Sequence, residues 1–335
     1  MIQKPTDKGR EYKMRRKICT GLGVLAAAVV STAAWADGET IAVFTKNQTN
    51  PYFQAVRVGA DAAAKVLNAK TLHYIPTKPD SIPEQMSQIE DVVVKKPDAI
   101  VFTPVDYKAL VPGVEKINAA NIPVVNITDR SSAGKFVAFV GADDYSTGLE
   151  TARYLLKSLN GKGNFIILEG VKGALTNTDR VRGFNDALKE NPGAKLLASQ
   201  PANYQRLQAL QVMENLLQSH PQVDGVLAAN DAMAMGAIEA LEGANRTAKV
   251  IGINGTKEAV DAIKAGKLLA SGDYNGFLQG CIGTIIATRA LRKQPVAPEI
   301  VLKPTVVSKE NYQPYDTPVE SRTCPTWEQA LTMGK

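Results

Sequence analysis

The sequence predicts an α/β protein built of two lobes, each a doubly wound parallel sheet. Short apolar runs alternate with amphipathic stretches from residue 40 to about 292, as where "TIAVFT" precedes a helical stretch at 52–68. Such alternation is typical of βαβ units, in which helices cover both faces of a parallel sheet. The strands are too numerous for one open sheet, and "KFVAFVG" opens a second, similar series. We therefore expect two lobes.

The first helix shows the periodicity on which this prediction depends. Asn50 is a good N-cap, and Pro51 suits the first helical position, where a missing N–H costs nothing. Apolar residues then recur at spacings of three and four, which predicts one buried stripe. Its members are Phe53, Val56, Ala60, Ala63, Ala64 and Leu67.

Residues 1–36 have the pattern of a signal peptide. A basic segment, "KMRRK", precedes an apolar run from about Ile18 to Val30, and the stretch finishes "AWA". The apolar run is shorter than the roughly 20 residues that a bilayer requires. We expect cleavage after Ala36 and export. Met1 and Met14 both stay open as the true start.

The charge of the remaining chain argues against a nucleic-acid partner. Residues 1–36 carry seven of the 39 Lys/Arg and two of the 33 Asp/Glu, which leaves 32 and 31, a net charge of +1. That balance lacks the basic excess of nucleic-acid-binding domains. His73 and His220 are isolated, and no His/Cys/carboxylate group has metal-ligand spacing. We expect neither a metal nor another cofactor. We also expect the protein to be a monomer.

Two cysteines remain after the first 36 residues, Cys281 and Cys324. In an oxidising compartment they can form a disulfide that pins a C-terminal tail onto a helix. Alternatively, they are a buried thiol and a tail thiol that never meet, and the sequence leaves both alternatives open.

Polar and aromatic residues follow the predicted strands. In doubly wound folds ligands bind at the carboxyl ends of the strands, so residues just after each strand are the site candidates. They include no Ser/His/Asp or Cys/His pairing of a nucleophilic hydrolase. They do combine planar hydrogen-bonding groups with aromatic rings, which suit the hydroxyls and the C–H faces of a carbohydrate. The candidates are Asn50, Tyr52, Phe53, Asp129, Arg130, Arg180, Tyr204, Asn230, Asn254 and Tyr274.

Several longer motifs identify a family. The segments "NPYF", "IPVVNITDR", "RVRGFNDAL" and "VIGINGTKEA", and above all the stretch 196–241, resemble type I periplasmic sugar-binding proteins of ABC importers, of the ribose-binding kind. The resemblance covers about 39–310. It implies a periplasmic protein that captures a sugar or polyol and delivers it to a membrane permease.

The resemblance also implies a hinge at which the chain crosses between the lobes three times. The crossings are expected near 140–145, 272–276 and 300–304. The lobes are then 37–142 plus 275–301 and 143–274 plus 302–310, followed by a tail at 311–335.

Residue roles follow from the same resemblance. Asp129 accepts hydrogen bonds from sugar hydroxyls, and Arg130 and Arg180 donate to them. Tyr52, Phe53 and Tyr204 match aromatic walls, and Asn50 and Asn230 match polar contacts. From the residues alone, Asp129 with Arg130 also fits a structural ion pair, and Phe53 also fits core packing.

Two positions depart from the ribose binders, which have Asp where this chain has Asn254 and Gln where it has Tyr274. The first loop is also longer and carries Lys46. We expect free ribose to be a poor ligand. Either Glu169 reaches the site and restores the lost negative charge, or the ligand supplies it as a sugar acid.

Three other functions remain to be weighed against a transport role. A chemoreceptor or sensor-kinase component is compatible with the same site. A lac-type repressor core shares the fold but needs a DNA-binding segment where this chain has its signal peptide. An exported sugar-processing enzyme lacks support from a nucleotide loop or a metal cluster.

Overall fold

The computed structural model describes residues 38–334. The predicted signal peptide, 1–36, lies outside the described residues, so cleavage after Ala36 stays a prediction. Within 38–334, strands and helices alternate as the sequence predicts and form two α/β lobes. The predicted fold class is confirmed.

The first lobe is built on a six-stranded, fully parallel sheet. Its central strands are buried along almost their whole length, as expected where helices cover both faces. Its strands, in spatial order, are β2 (Lys70–Tyr74), β1 (Thr40–Phe44), β3 (Ala99–Phe102), β4 (Val124–Ile127), β5 (Ala138–Ala142) and β11 (Glu299–Leu302).

Four helices cover this sheet: α1 (Pro51–Leu67), α2 (Ile82–Lys95), α3 (Val111–Ala119) and α9 (Gly276–Leu291). The Asn50 side chain caps α1 by accepting a hydrogen bond from the Tyr52 N–H (3.0 Å), as predicted. Helices α1 and α9 pack with their backbones close together, because a Cβ at Gly280 would lie 2.0 Å from the Val56 carbonyl oxygen.

The second lobe has the same plan. Five strands are parallel, and the sixth, β12, pairs antiparallel with β10 at the edge. In spatial order they are β7 (Gly193–Pro201), β6 (Lys162–Glu169), β8 (Gly225–Ala228), β9 (Lys249–Asn254), β10 (Ala270–Asp273) and β12 (Thr305–Ser308). The helices are α4 (Asp144–Ser158), α5 (Leu175–Lys189), α6 (Arg206–Ser219), α7 (Asp231–Gly243) and α8 (Lys257–Lys264). Within 38–334, no helix combines the length and apolarity that crossing a membrane requires.

The chain passes between the two sheets three times: after β5, after β10, and between β11 and β12. Strand β5 lies in the first sheet, between β4 and β11, which agrees with the predicted lobe limit of 142 and not with a second series that opens at "KFVAFVG". Leu302 pairs with Ala142 in the first sheet, so that sheet extends one residue past the predicted limit of 301. A resemblance to a family does not fix the ends of elements to one residue, since such ends commonly vary by one or two.

The C-terminal tail is attached to both lobes. It contains two short 3₁₀ turns, Gln313–Tyr315 and Val319–Ser321, and helix α10 (Trp327–Met333). Asp316 pairs with Lys264 of the second lobe (2.7 Å). Cys324 forms a disulfide with Cys281 of α9, so the structure adopts the first of the two alternatives that the sequence left open.

Candidate functional site

The carboxyl ends of the strands in both lobes meet at a small cavity of about 20 Å³. That volume holds about one water molecule. Nine of the ten predicted residues line it, and only Arg130 does not. The full lining is Lys46, Asn50, Tyr52, Phe53, Thr128, Asp129, Thr176, Arg180, Tyr204, Asn230, Asn254 and Tyr274.

Aromatic rings form much of the wall. Tyr52 and Phe53, in the first turn of α1, pack edge to face with ring centres 5.1 Å apart, and Tyr274 lies 5.6 Å from Tyr52. Tyr204 comes from the second lobe, and its hydroxyl lies 3.1 Å from the Thr176 hydroxyl. The rings therefore face the cavity from both lobes.

A buried ion pair lies on the first-lobe side. Asp129 Oδ2 contacts the Lys46 ammonium, and both side chains are almost fully buried. The other carboxylate oxygen accepts a hydrogen bond from the backbone N–H of Thr176 in the second lobe (3.2 Å). Asp129 is therefore bonded on both sides of the cavity.

A second buried ion pair lies on the opposite side. Arg180 donates from Nε to Asp144 Oδ1 (2.8 Å) and from Nη1 to the Ala229 carbonyl (2.8 Å), and the Tyr274 hydroxyl donates to Asp144 Oδ2 (2.7 Å). The Arg180 guanidinium also lies 4.3 Å from the centre of the Tyr274 ring. Burial raises the pKa of the Asp144 carboxyl to about 6, although Arg180 and Tyr274 act in the opposite direction.

Two amide side chains of the site are already engaged in the local structure. Asn50 caps α1, and Asn230 caps α7 by accepting from the Met233 N–H (2.9 Å). Asn230 also donates to the Tyr204 carbonyl (3.1 Å). Their capping roles fix where both amides lie beside the cavity.

Three residues of the site have left-handed or otherwise rare backbone conformations: Thr128 (φ 65°), Tyr204 (φ 59°) and Asn254 (φ 138°). A positive φ is costly for a β-branched or bulky residue, and such strain tends to concentrate at binding sites. Thr128 is held by hydroxyl contacts with Tyr52 (3.0 Å) and Gln279 (3.0 Å).

The structure places Arg130 outside this cavity. Its side chain is half exposed, pairs with Glu299 of β11, and lies 3.8 Å above the Phe139 ring of β5. The neighbouring strands offer the guanidinium both an anion and an aromatic face, and its side chain does not line the cavity. The ligand contacts expected of Asp129 and Arg130 both stay predictions, but only Asp129 lines this cavity.

Glu169 does not supply the missing negative charge either. It accepts a hydrogen bond from the Ser199 hydroxyl of β7 and does not line the cavity. Asp144 is the carboxylate beside Arg180, and Lys46 is the cation beside Asp129. Sequence reasoning missed Asp144, Thr128 and Thr176. Asp144 lies two residues after β5, so the strand-end rule applied there would have found it.

Comparison with known proteins places this chain in a family. Residues 41–295 match the periplasmic binding protein domain. The ribose import binding protein RbsB of Haemophilus influenzae is 30% identical over 296 residues, which cover 88% of this chain and all of that protein. The xylitol-binding protein of Mycolicibacterium smegmatis is 29% identical and covers 87% of this chain and 83% of its own length.

A solved relative agrees with these matches. A periplasmic solute-binding protein of an ABC transporter from Actinobacillus succinogenes, with bound D-allose, is 34% identical with a TM-score of 0.79. The alignment covers 83% of this chain and 100% of that one. This chain therefore belongs to the periplasmic binding protein family.

Proposed function

We propose that this chain is the solute-binding protein of an ABC importer, that it works in the periplasm after removal of its signal peptide, and that it holds a sugar or polyol between its lobes. The single observation that carries the proposal is the chemistry of the cavity between the lobes. Carboxylate, ammonium, guanidinium and amide groups converge there with four aromatic rings.

Sugar hydroxyls both donate and accept hydrogen bonds, so they need acceptors such as Asp129 and donors such as Arg180 in one site. The C–H faces of a sugar pack on rings such as Tyr52 and Tyr204. The relatives bind ribose, xylitol and D-allose by name or title, which differ in size and ring form. They support the class of ligand and leave the compound open.

Binding requires motion. The space of about 20 Å³ between the lobes is far smaller than a sugar. Entry therefore needs the lobes to separate, and the three crossings provide a hinge for a rigid-body rotation. The Asp129–Thr176 contact joins the lobes directly and would break on opening.

We infer a binding protein and not an enzyme. A carboxylate that acts as a general acid or base needs an oxygen within reach of the reacting group. Asp129 is paired with Lys46 and Thr176, and both oxygens of Asp144 are bonded to Arg180 and Tyr274. These contacts suit fixed recognition better than proton transfer.

The proposed partner is a membrane permease, and a chemoreceptor is a second candidate because it would read the same ligand-bound form. The two roles share one site, so binding measurements do not separate them. Deleting the gene and measuring both uptake of the ligand and chemotaxis toward it does.

A thermal-shift screen of the purified protein over pentoses, hexoses, polyols and sugar acids tests the proposal, since a ligand of the native state raises the apparent melting temperature. We expect at least one sugar or polyol to do so, ribose to act weakly, and calorimetry to show binding without turnover. Conversion of the bound compound, or no response to the whole panel, would contradict the proposal.

A further inference from the structure

We infer that Asp144 restricts the site to uncharged sugars and polyols, by neutralising Arg180 from behind the cavity wall. This inference rests on the proposed function and deepens it. Asp144 does not line the cavity, so it acts on the ligand through Arg180 as a positioning and specificity-determining residue.

The cavity has two cations in its lining, Lys46 and Arg180, and both are at least nine-tenths buried. Each has one carboxylate partner, Asp129 for Lys46 and Asp144 for Arg180. The four charges therefore sum to zero before any ligand is bound. A ligand carboxylate would add an uncompensated charge to a buried site, which is costly.

Asp144 neutralises, from outside the cavity, the Arg180 charge that a ligand carboxylate would otherwise neutralise from inside it. The other polar partners of the guanidinium are neutral, the Ala229 carbonyl (2.8 Å) and the Asn254 side-chain oxygen (3.5 Å). Without Asp144, a buried guanidinium would have no anion in contact and would favour an anionic ligand.

Asp144 is also held firmly in place. Its second oxygen accepts from Tyr274, whose hydroxyl lies 3.3 Å from the Thr128 carbonyl as well. Tyr274 sits at the second crossing between the lobes, so the carboxylate is fixed by the hinge segment and by α5 together.

Two further carboxylates near the site add negative charge to its surroundings. Asp80 accepts from the Asn47 side chain (3.2 Å), and Asp231 accepts from Ser271 (2.6 Å) and from the Thr256 N–H (2.8 Å). Both cations of the cavity lining keep their carboxylate partners beside these additional negative charges. The surroundings therefore also disfavour an anionic ligand.

The test compares neutral compounds with their carboxylate counterparts by calorimetry at pH 8. The probes are glucose with glucuronate, galactose with galacturonate, xylitol with xylonate, and ribitol with ribonate. We expect the wild-type protein to bind the neutral member of the best pair at least tenfold more tightly. Asp144→Asn should shift the acid-to-neutral affinity ratio of that pair toward the acid by at least tenfold.

Asp143→Asn is the matched control. Asp143 is the exposed neighbour of Asp144, and it caps α4 by accepting from the Ser146 N–H (2.9 Å), a role that Asn also fills. The Asp143→Asn variant should leave the acid-to-neutral affinity ratio unchanged. In the double variant Asp144→Asn/Asn254→Asp, a carboxylate returns to the other side of Arg180, and the neutral preference should return with it.

The outcomes are distinct. A wild-type protein that binds an acid as tightly as its neutral partner, or an Asp144→Asn ratio equal to that of Asp143→Asn, overturns the inference and leaves sugar binding intact. If Asp144→Asn alone fails to fold, the double variant must fold and prefer the neutral member; its failure to do either also overturns the inference. Absence of binding by any variant, together with an empty wider screen, overturns the proposed function too.

Discussion

The carboxylate of Asp129 accepts a hydrogen bond from the backbone N–H of Thr176, across the cavity between the lobes (3.2 Å). Helix α5 begins at Leu175, and the preceding residue, Ala174, offers no side-chain cap. The first lobe therefore supplies the anion at the positive end of a second-lobe helix. Because separation of the lobes breaks this contact, it favours the arrangement in which they are together.

The first prediction concerns the carboxylate of Asp129. Asp129→Asn leaves the buried Lys46 ammonium without its anion, and breaking a buried pair costs about 3–5 kcal/mol. Urea unfolding should show a loss of that order, and adding Lys46→Met should recover most of it. Asp91→Asn removes one partner of the exposed pair Asp91–Lys95 and should have a much smaller effect. Equal losses for Asp129→Asn and Asp91→Asn would contradict the burial argument.

Arg180 and Arg182 make a matched pair on helix α5. Arg180 is buried at the cavity, whereas Arg182 is largely exposed and pairs with Asp179. Arg180→Ala should weaken binding of the best sugar from the thermal-shift screen by more than about 100-fold (about 2.7 kcal/mol). Arg182→Ala should leave the affinity within about twofold. Calorimetry measures both, with circular dichroism as the check on folding, and an Arg180→Ala affinity within about threefold of wild type would mean that the site is elsewhere.

Much of the architecture could be predicted because it depends on local periodicity. The apolar stripe of α1 and the Asn50 cap each depend on a few residues that are close together in the sequence. The convergence of Asp129 and Arg180 followed from one general rule, that strand carboxyl ends meet at a crevice. That rule depends on topology and not on exact side-chain positions.

What the sequence could not predict has a different origin, since it depends on partners distant in the chain. Arg130 contacts Glu299, which lies 169 residues later in the chain, and no local sequence pattern predicts that contact. The disulfide needed Cα atoms of Cys281 and Cys324 within bonding range, here 5.5 Å, which only the fold provides. The sequence could place charges after strands but could not show which cation pairs with which carboxylate.

Gly170 keeps space for the Tyr204 ring. A Cβ at this position would lie 2.1 Å from the ring carbon Cζ, and the Tyr204 hydroxyl is held by Thr176. Gly170→Ala should therefore push the ring toward the cavity and reduce sugar affinity at least tenfold (about 1.4 kcal/mol). Gly243→Ala is the control, because a Cβ there meets nothing within 4 Å. Calorimetry with the same sugar should separate the two, and equal affinities would show that Tyr204 is not a wall of the site.

The disulfide between Cys281 and Cys324 should contribute strongly to stability. It joins the tail to the buried face of α9, and removal of a native disulfide typically costs about 2–5 kcal/mol. Cys281→Ala/Cys324→Ala should lower the free energy of urea unfolding by that order and expose the bond after Arg322 to trypsin. A reductant should bring the wild-type protein to a similar stability. A variant as stable as the oxidised wild type would mean that α10 and the Asp316–Lys264 pair suffice to hold the tail.

Asp273 should make the folded protein more stable at mildly acidic pH. Its largely buried carboxylate accepts from the Asn275 N–H (2.8 Å), and burial raises the pKa of Asp273 to about 6, against about 3.9 in an unfolded chain. Between these values the folded protein binds more protons than the unfolded one, so this group's contribution to stability falls as pH rises from 4 through 6. Asp273→Asn removes the ionisation and keeps an acceptor oxygen for Asn275.

We therefore expect Asp273→Asn to match the wild-type stability near pH 4 and to exceed it by about 1–3 kcal/mol at pH 8. Asp91→Asn is the control of opposite sign, because its bond to Lys95 lowers the pKa of Asp91. That variant should gain no stability at pH 8. Urea unfolding at several pH values measures the difference, and a difference that does not change with pH would show that Asp273 is not protonated in the folded protein at pH 4–6.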